Sequence, residues 1–464
     1  MAEILSKVHV KWKKMREACG IFGIYGNSEA ARITFFGLYS LQHRGQESAG
    51  IAVADGRKIR LEKGMGLISQ VFSEEKIKNL KGHLAIGHNR YSTTGSSQLI
   101  NAQPFFFQSD LWSFTVAHNG NLSNTKFLRR WLSKDGVNFT SSSDSEVIGH
   151  VILKSEGKTL EDKIVKGISV LEGAFSLLIL AKDKLFAIRD PFGIRPLVLG
   201  KFHSSWVVAS ETCAFATIGA NFKRNIHPGE VVRFDKDGLK TIHHDGREPS
   251  AFCIFEYIYF SRPDSFINGK LGYLTRLQAG QELAKEHPVA ADLVISVPDS
   301  GTSAALGFSQ ESKIPFLEGL IKNRYLGRTF IQPEQELRKL GVKLKFNPLP
   351  EILKGKKVIL IDDSIVRGTT TAGVVKLLKK FGAKEVHLRI ASPPLISPCF
   401  LGIDIERYRE LVAHGRTIEQ IRHKLGADSL GYLSLNGLKK AIGEVNCGFC
   451  DGCFTGSYPV KIKN

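Results

Sequence analysis

The chain lacks the features that would place it in a membrane or outside the cell. No stretch of its 464 residues approaches the roughly 18 consecutive apolar residues of a membrane span. The most apolar run, AFSLLILA at 174–181, has the length of a strand. Residues 1–18 carry Lys7, Lys11, Lys13, Lys14 and Arg16 but no apolar signal core, and Glu3 and Glu17 make a poor transit peptide. Seven cysteines, an odd number in a long chain, do not suit a secreted disulfide framework. A cytoplasmic protein is expected. Internal repeats and low-complexity tracts are missing too. Acid is scarce: 64 Lys+Arg against 45 Asp+Glu leave a net charge of +19. That balance favours acidic partners such as nucleic acid, an anionic membrane or phosphorylated small molecules, with a solvated basic surface as the alternative. No long basic arm gathers the charge. Hydrophobic (42%) and charged (23%) fractions are those of a globular protein, which excludes disordered, collagen-like and coiled-coil classes. The length exceeds what one core holds, so two domains are expected.

Along the chain, the first half reads as β structure. Apolar runs at 176–180 and 185–189 flank a Lys-Asp-Lys turn, and 231–234 and 239–242 flank DKDG, predicting two hairpins. Helices are expected over 29–40 and 143–154. In the second half, strand-like runs at 291–297, 358–361 and 386–390 alternate with a helical pattern through Val374, Leu378 and Phe381, a βαβ arrangement that implies a parallel sheet. The polar stretch 243–250 is the best boundary between the two.

The clearest motif is VILIDDSIVRGTTT at 358–371. An apolar strand delivers two adjacent carboxylates, and a Ser/Gly/Thr turn then opens a helix. Ligands of open α/β sheets bind beyond the carboxyl ends of the strands. There the helix N-terminus and Thr369–Thr371 can hold a phosphate, while Asp362 and Asp363 accept from ribose hydroxyls or act through hydrated Mg²⁺. A capped surface turn is the bland alternative. The segment resembles the 5-phosphoribosyl-1-pyrophosphate (PRPP) loop of type I phosphoribosyltransferases. The resemblance implies one Mg²⁺ per subunit near Ser300, Asp362 and Asp363, and a 5-phosphate held by Arg367, Gly368, Thr369, Thr370 and Thr371. It also makes 298–301 (PDSG) the pyrophosphate-side loop. Residues 322–333 (KNRYLGRTFIQP) become a flexible loop that supplies Lys322, Arg324, Tyr325 and Arg328.

Cys19 stands in EACGIFGI, where a cysteine is usually a small buried hydrophobe. Its company changes that reading: LQHRGQESA at 41–49, GHNRYSTTG at 87–95, AHNGN at 117–121 and SDSE at 143–146. With these segments the first half resembles the class II glutamine amidotransferases, which are N-terminal-nucleophile hydrolases. Both halves in this order resemble one family, the amidophosphoribosyltransferases, over nearly the whole chain. The implied fold is an N-terminal-nucleophile αββα sandwich followed by a type I phosphoribosyltransferase α/β domain. The implied division is a propeptide at 1–18, a glutaminase domain at 19–245 and a phosphoribosyltransferase domain at 250–455.

A thiol with a pKa of roughly 8.5 is a good nucleophile, and an α-amino group near 7.7–8.0 can take its proton. That pairing requires Cys19 to become the first residue. By resemblance, Asn119 and Gly120 form the oxyanion hole, and Arg90 and Asp144 grip the glutamine α-carboxylate and α-amino group with help from Thr93. Taken singly, Asn-Gly also suits a turn, and Ser143 or Asp144 a helix N-cap. The activity expected is transfer of glutamine nitrogen to PRPP, the first committed step of purine synthesis, in a homotetramer inhibited by purine nucleotides.

Cys450-x-x-Cys453 has chelate spacing but only two ligands. The resemblance supplies Cys253 and Cys399, implying a [4Fe–4S] cluster, with zinc as the alternative and buried thiols as the bland one. Cys447 also forms C-x-x-C with Cys450; it falls outside the four-ligand count and could replace a neighbour, and Cys213 reads as a buried thiol. A nucleic-acid-binding regulator on the same fold would need a helix-turn-helix or stacking motif, and the sequence has neither. Another class II amidotransferase would lack the segment at 358–371. No nucleic acid or membrane partner is expected.

Overall fold

Alternating apolar residues in the first half bury both faces of its strands, so two sheets stack between helices. The computed structural model describes residues 19–91, 97–323, 345–403, 405 and 407–462. Among these, seven antiparallel strands form one sheet, with Gly20–Tyr25 and Leu84–Arg90 adjacent near its middle. A second antiparallel sheet has six strands, including Ser113–Leu122 beside Gly173–Ala181. Ile21, Ile86, Leu178 and Leu180 meet between the sheets. Phe22 and Ile24 turn outward onto helix Ala30–Ser40, while Leu177 and Ile179 turn onto helices that include Asp144–Lys154. The result is the expected αββα sandwich. Both hairpins form, at Gly173–Ala181 with Leu185–Arg189 and at Glu230–Asp235 with Gly238–His244.

The second half carries a parallel sheet in the order Leu293–Ser296, Lys357–Asp362, Glu385–Ile390, Ser429–Tyr432. Its helices include Gly272–Glu286, Thr302–Ser312 and Thr369–Lys380. No described helix is long and apolar enough to cross a membrane.

A buried ionic network joins the two halves. Arg44 is fully buried and pairs with Glu211 on one side and with Glu256 on the other, at 2.7 and 3.0 Å. Arg195 reaches the same Glu256 at 3.4 Å and donates to the Leu401 carbonyl. Ser261 and Ser265 hydroxyls complete Glu256 and Glu211, each at 2.7 Å. Burial pushes Glu256 toward its neutral form, but Arg44 and Arg195 override it and hold the carboxyl below its ordinary range.

Candidate active sites

The first site grows from the start of strand Gly20–Tyr25. Its pairing of Gly20 with Asn89 brings Cys19 to the end of strand Leu84–Arg90. The Cys19 Sγ lies 3.4 Å from both the amide nitrogen and the carbonyl oxygen of Tyr91. The Arg44 Nε donates to the Cys19 carbonyl at 3.1 Å, so the buried network also fixes this residue's backbone. Burial pushes the Cys19 thiol up; the Tyr91 amide and Arg90 charge oppose that without reversing it. The thiol therefore rests protonated at neutral pH and needs a base. Its electrostatic neighbours include Arg90, Asp144 and Glu47, and Arg90 stands 3.6 Å from Glu47. Structure thus gathers Cys19, Arg90 and Asp144 as the sequence expected. Glu47 and His118 belong to the same group, although neither was singled out from the motifs that contain them.

Asp144 opens its helix, capped by Ser143, whose hydroxyl accepts from the Ser145 amide. It also accepts from the Leu122 amide at 3.0 Å and lies 3.7 Å from His118 Nδ1. Burial works against its charge, but His118 and these amides keep the carboxyl below its usual value. Cap and site residue are thus neighbours: Ser143 caps the helix, which leaves the Asp144 carboxylate to the site. Asn119 and Gly120 lie within strand Ser113–Leu122, paired with Ser176 and Phe175, so Asn-Gly is not a turn. Gly120 has φ +152°, and a Cβ there would sit 2.0 Å from the Ala174 carbonyl oxygen. The Asn119 side chain is fully buried, and neither its Nδ2 nor its Oδ1 has a hydrogen-bond partner among the described residues. An unpaired buried amide costs about 1–3 kcal/mol. Such a group is expected where a ligand completes it. Thr93 lies outside the described residues.

The second site forms at the carboxyl ends of the parallel strands. Asp362 closes its strand, and the Asp363 amide donates back to Asp362 Oδ1 at 3.0 Å. The Ser364 hydroxyl donates to Asp363 Oδ2 at 2.6 Å. Gly368 caps the next helix with φ +76°, a left-handed conformation that lets the loop turn into Thr369–Lys380. Ser300 and Asp363 line one cleft with Arg276, Tyr257 and Thr275. Arg276 donates to the Tyr257 and Ser261 carbonyls. No sequence pattern marked it, because it is a lone cation inside a helix. Lys322 forms an ion pair with Asp299. Arg367 pairs with Glu410. Arg324, Tyr325 and Arg328 lie outside the described residues.

Among the described residues, no three His, Cys, Asp or Glu side chains group closely enough to hold a single metal ion. Mg²⁺ does not require such a cage, since it binds through one or two carboxylates with waters and substrate phosphates. Asp363 with Asp362 and Ser300 offers that hard-oxygen set. The cysteines also converge. Strand Phe252–Cys253 pairs in parallel with Phe449–Cys450, setting Cys253 opposite Cys450. The Cys453 carbonyl accepts from Ile396 and Ser397, and the Cys399 Sγ accepts from Leu401. Cys253, Cys399, Cys450 and Cys453 are mutual electrostatic neighbours. Cys447 lies aside, hydrogen-bonded to Asn268 Nδ2 at 3.3 Å. Cys213 is buried beside Glu211. None of the seven forms a disulfide.

Residues 88–217 match the glutamine amidotransferase domain family, a stretch that begins after Cys19 and holds Arg90, Asn119, Gly120 and Asp144. Residues 276–391 match the phosphoribosyl transferase domain family. The chain is 47% identical to an amidophosphoribosyltransferase of Bacillus subtilis, over 97% of this chain and 96% of that one. It is 48% identical to one from Methanocaldococcus jannaschii, over 96% and 98%. A solved structure of "the allosteric regulatory enzyme of purine biosynthesis" is similar with a TM-score of 0.92 at 46% identity, over 96% of this chain and 97% of that one. The B. subtilis glutamine PRPP amidotransferase in complex with ADP and GMP gives 0.91 at 46% identity, over 96% and 98%. With two such sites in this order, and relatives matched end to end at nearly half identity, the chain belongs to the amidophosphoribosyltransferase family.

Proposed function

We propose that this chain transfers the amide nitrogen of glutamine to C1 of PRPP, giving 5-phospho-β-D-ribosylamine, glutamate and pyrophosphate, the first committed step of purine synthesis. The observation that carries this reading is the Asn119 amide, buried and without a hydrogen-bond partner among the described residues, next in the chain to His118, which lies 3.7 Å from the Asp144 of the Cys19, Arg90 and Asp144 group. Removal of residues 1–18 exposes the Cys19 α-amine, which takes the thiol proton as sulfur attacks the amide carbon. The Asn119 amide and the Gly120 N–H hold the oxyanion. Collapse releases ammonia and leaves a thioester, which water cleaves to glutamate. Arg90 binds the α-carboxylate, Asp144 binds the α-ammonium, and Thr93 assists.

At the second site Asp362 and Asp363 hold the ribose hydroxyls, and the N-terminus of helix Thr369–Lys380 with its threonines holds the 5-phosphate. Ser300, Asp362 and Asp363 would hold Mg²⁺, which would supply positive charge to the pyrophosphate. Ammonia is mostly ammonium in neutral water, so passage inside the protein keeps it nucleophilic.

Cys253, Cys399, Cys450 and Cys453 would hold a [4Fe–4S] cluster in a structural role, with zinc as the alternative. A zinc ion with Zn–S bonds of about 2.3 Å draws four sulfurs tightly together. A four-iron cluster would take the same four thiolates. The protein is read as a cytoplasmic homotetramer inhibited by purine nucleotides.

The test is Cys19→Ala. Glutamine-dependent synthesis should vanish while ammonia-dependent synthesis persists, in protein whose intact mass lacks residues 1–18. Equal loss of both activities would overturn the two-site reading.

A further inference from the structure

The PRPP loop carries a feature that phosphate binding alone does not explain. Arg367 directs both Nε and Nη2 at one carboxylate oxygen of Glu410, the Nε at 3.0 Å. The two side chains are 18% and 15% exposed. Glu410 rides on the turn Tyr408–Glu410, and the fold fastens this turn to the loop. The Val412 amide donates to the Val366 carbonyl at 2.7 Å, and a Cβ at Gly368 would lie 3.2 Å from Val412 Cγ2. The acid is therefore presented to Arg367 by a backbone attachment two residues away. It places a negative charge where the loop is expected to take a phosphate dianion.

Resting on the PRPP reading above, we propose that Glu410 is a built-in competitor of the substrate's 5-phosphate. It neutralises Arg367 in the empty loop and gives way when a 5-phosphoribosyl group enters. One guanidinium cannot direct the same two N–H groups at a carboxylate and at a phosphate. The helix N-terminus and the threonine hydroxyls remain available throughout. Glu410 therefore sets how tightly the loop holds any 5-phosphoribosyl compound. A clamp that merely shaped the loop would have the opposite signature, because its removal would weaken binding.

The experiment uses the full chain with ribose 5-phosphate as probe. Direct calorimetry is combined with inhibition of ammonia-dependent PRPP consumption. Glu410→Gln keeps the side chain's shape and removes its charge. It should tighten ribose 5-phosphate about tenfold and lower the PRPP half-saturation similarly. That is the lower end of what releasing one charge-assisted hydrogen bond allows, given the pair's partial exposure. The double variant Arg367→Gln/Glu410→Gln should lose the gain, as a coupled pair requires. Unchanged or weaker binding in Glu410→Gln overturns the proposal, and so does a gain that survives in the double variant. If the wild type binds ribose 5-phosphate but never consumes PRPP, the assigned reaction fails and the calorimetry still decides the role of Glu410. If it binds neither, both fall.

Discussion

The two sites are built on opposite plans. At the first, Cys19, Arg90, Asn119 and Asp144 are 5%, 2%, 0% and 4% exposed, each set on or beside a sheet strand or helix start. At the second, Asp362 and Asp363 are buried, but Thr369 is exposed and Asp299 and Lys322 lie at the surface. A small neutral carboxamide is activated by dipoles already in place, so a preformed interior suits it. A polyanion must shed much more water and find its counter-charges, so strand-end loops that rearrange around it suit better. The comparison explains why the first site shows an unpaired amide in the empty protein. Two of the described cations at the second are already paired with acids, Lys322 with Asp299 and Arg367 with Glu410.

The largest effect expected from breaking this contrast is at the second site. Asp363→Asn should cut ammonia-dependent synthesis by about 10²–10³-fold, as loss of one preorganised electrostatic group does. Glutamine hydrolysis measured as glutamate release should survive in that variant. If the two activities fell together, the sites would not be separable. Next is Arg44→Ala, which leaves Glu256 and Glu211 buried and short of a partner. It should destabilise the chain by about 3–5 kcal/mol in urea unfolding, and it removes the donor to the Cys19 carbonyl. An unfolding midpoint within error of the parent would refute the network's role.

The smallest effect is the pH response. Glu256 has its folded carboxyl pKa depressed. Its stabilisation is present above the unfolded value of about 4.3 and is lost as pH falls through the lower folded value. Unfolding midpoints measured from pH 6 downward should therefore drop in acid, and in Arg44→Ala, where the Glu256 carboxyl is no longer held down by that guanidinium, the drop should shrink. A flat profile in the parent would contradict the assignment.

How much of this the sequence disclosed follows the same division. The segment 358–371 was legible because strand, acid pair, glycine and threonines are contiguous, and the structure places the strand at Lys357–Asp362 and the helix at Thr369–Lys380. Helices expected over 29–40 and 143–154 appear as Ala30–Ser40 and Asp144–Lys154, each one residue shorter where the cap begins. Asn119-Gly120 looked like a turn to local rules, but cross-strand pairing with Ser176 and Phe175 overrode that preference. The Arg44–Glu211–Glu256–Arg195 network was illegible. Its members are scattered between positions 44 and 256 with no period or spacing to betray them, and only folding makes them neighbours. Glu410 escaped notice for the same reason, being 43 residues from Arg367.

That network also bears on how far the protein can be taken apart. Arg44 belongs to the glutaminase half, yet it divides its guanidinium between Glu211 of that half and Glu256 beyond the polar stretch at 243–250. A glutaminase half cut free at that stretch would carry a buried cation with one of its two acids missing, and the phosphoribosyl half would expose the matching acid to water. The two catalysts are thus not interchangeable cassettes on a string. Each completes the other's interior, and exchanging one for a homologue means exchanging both sides of this charge set together.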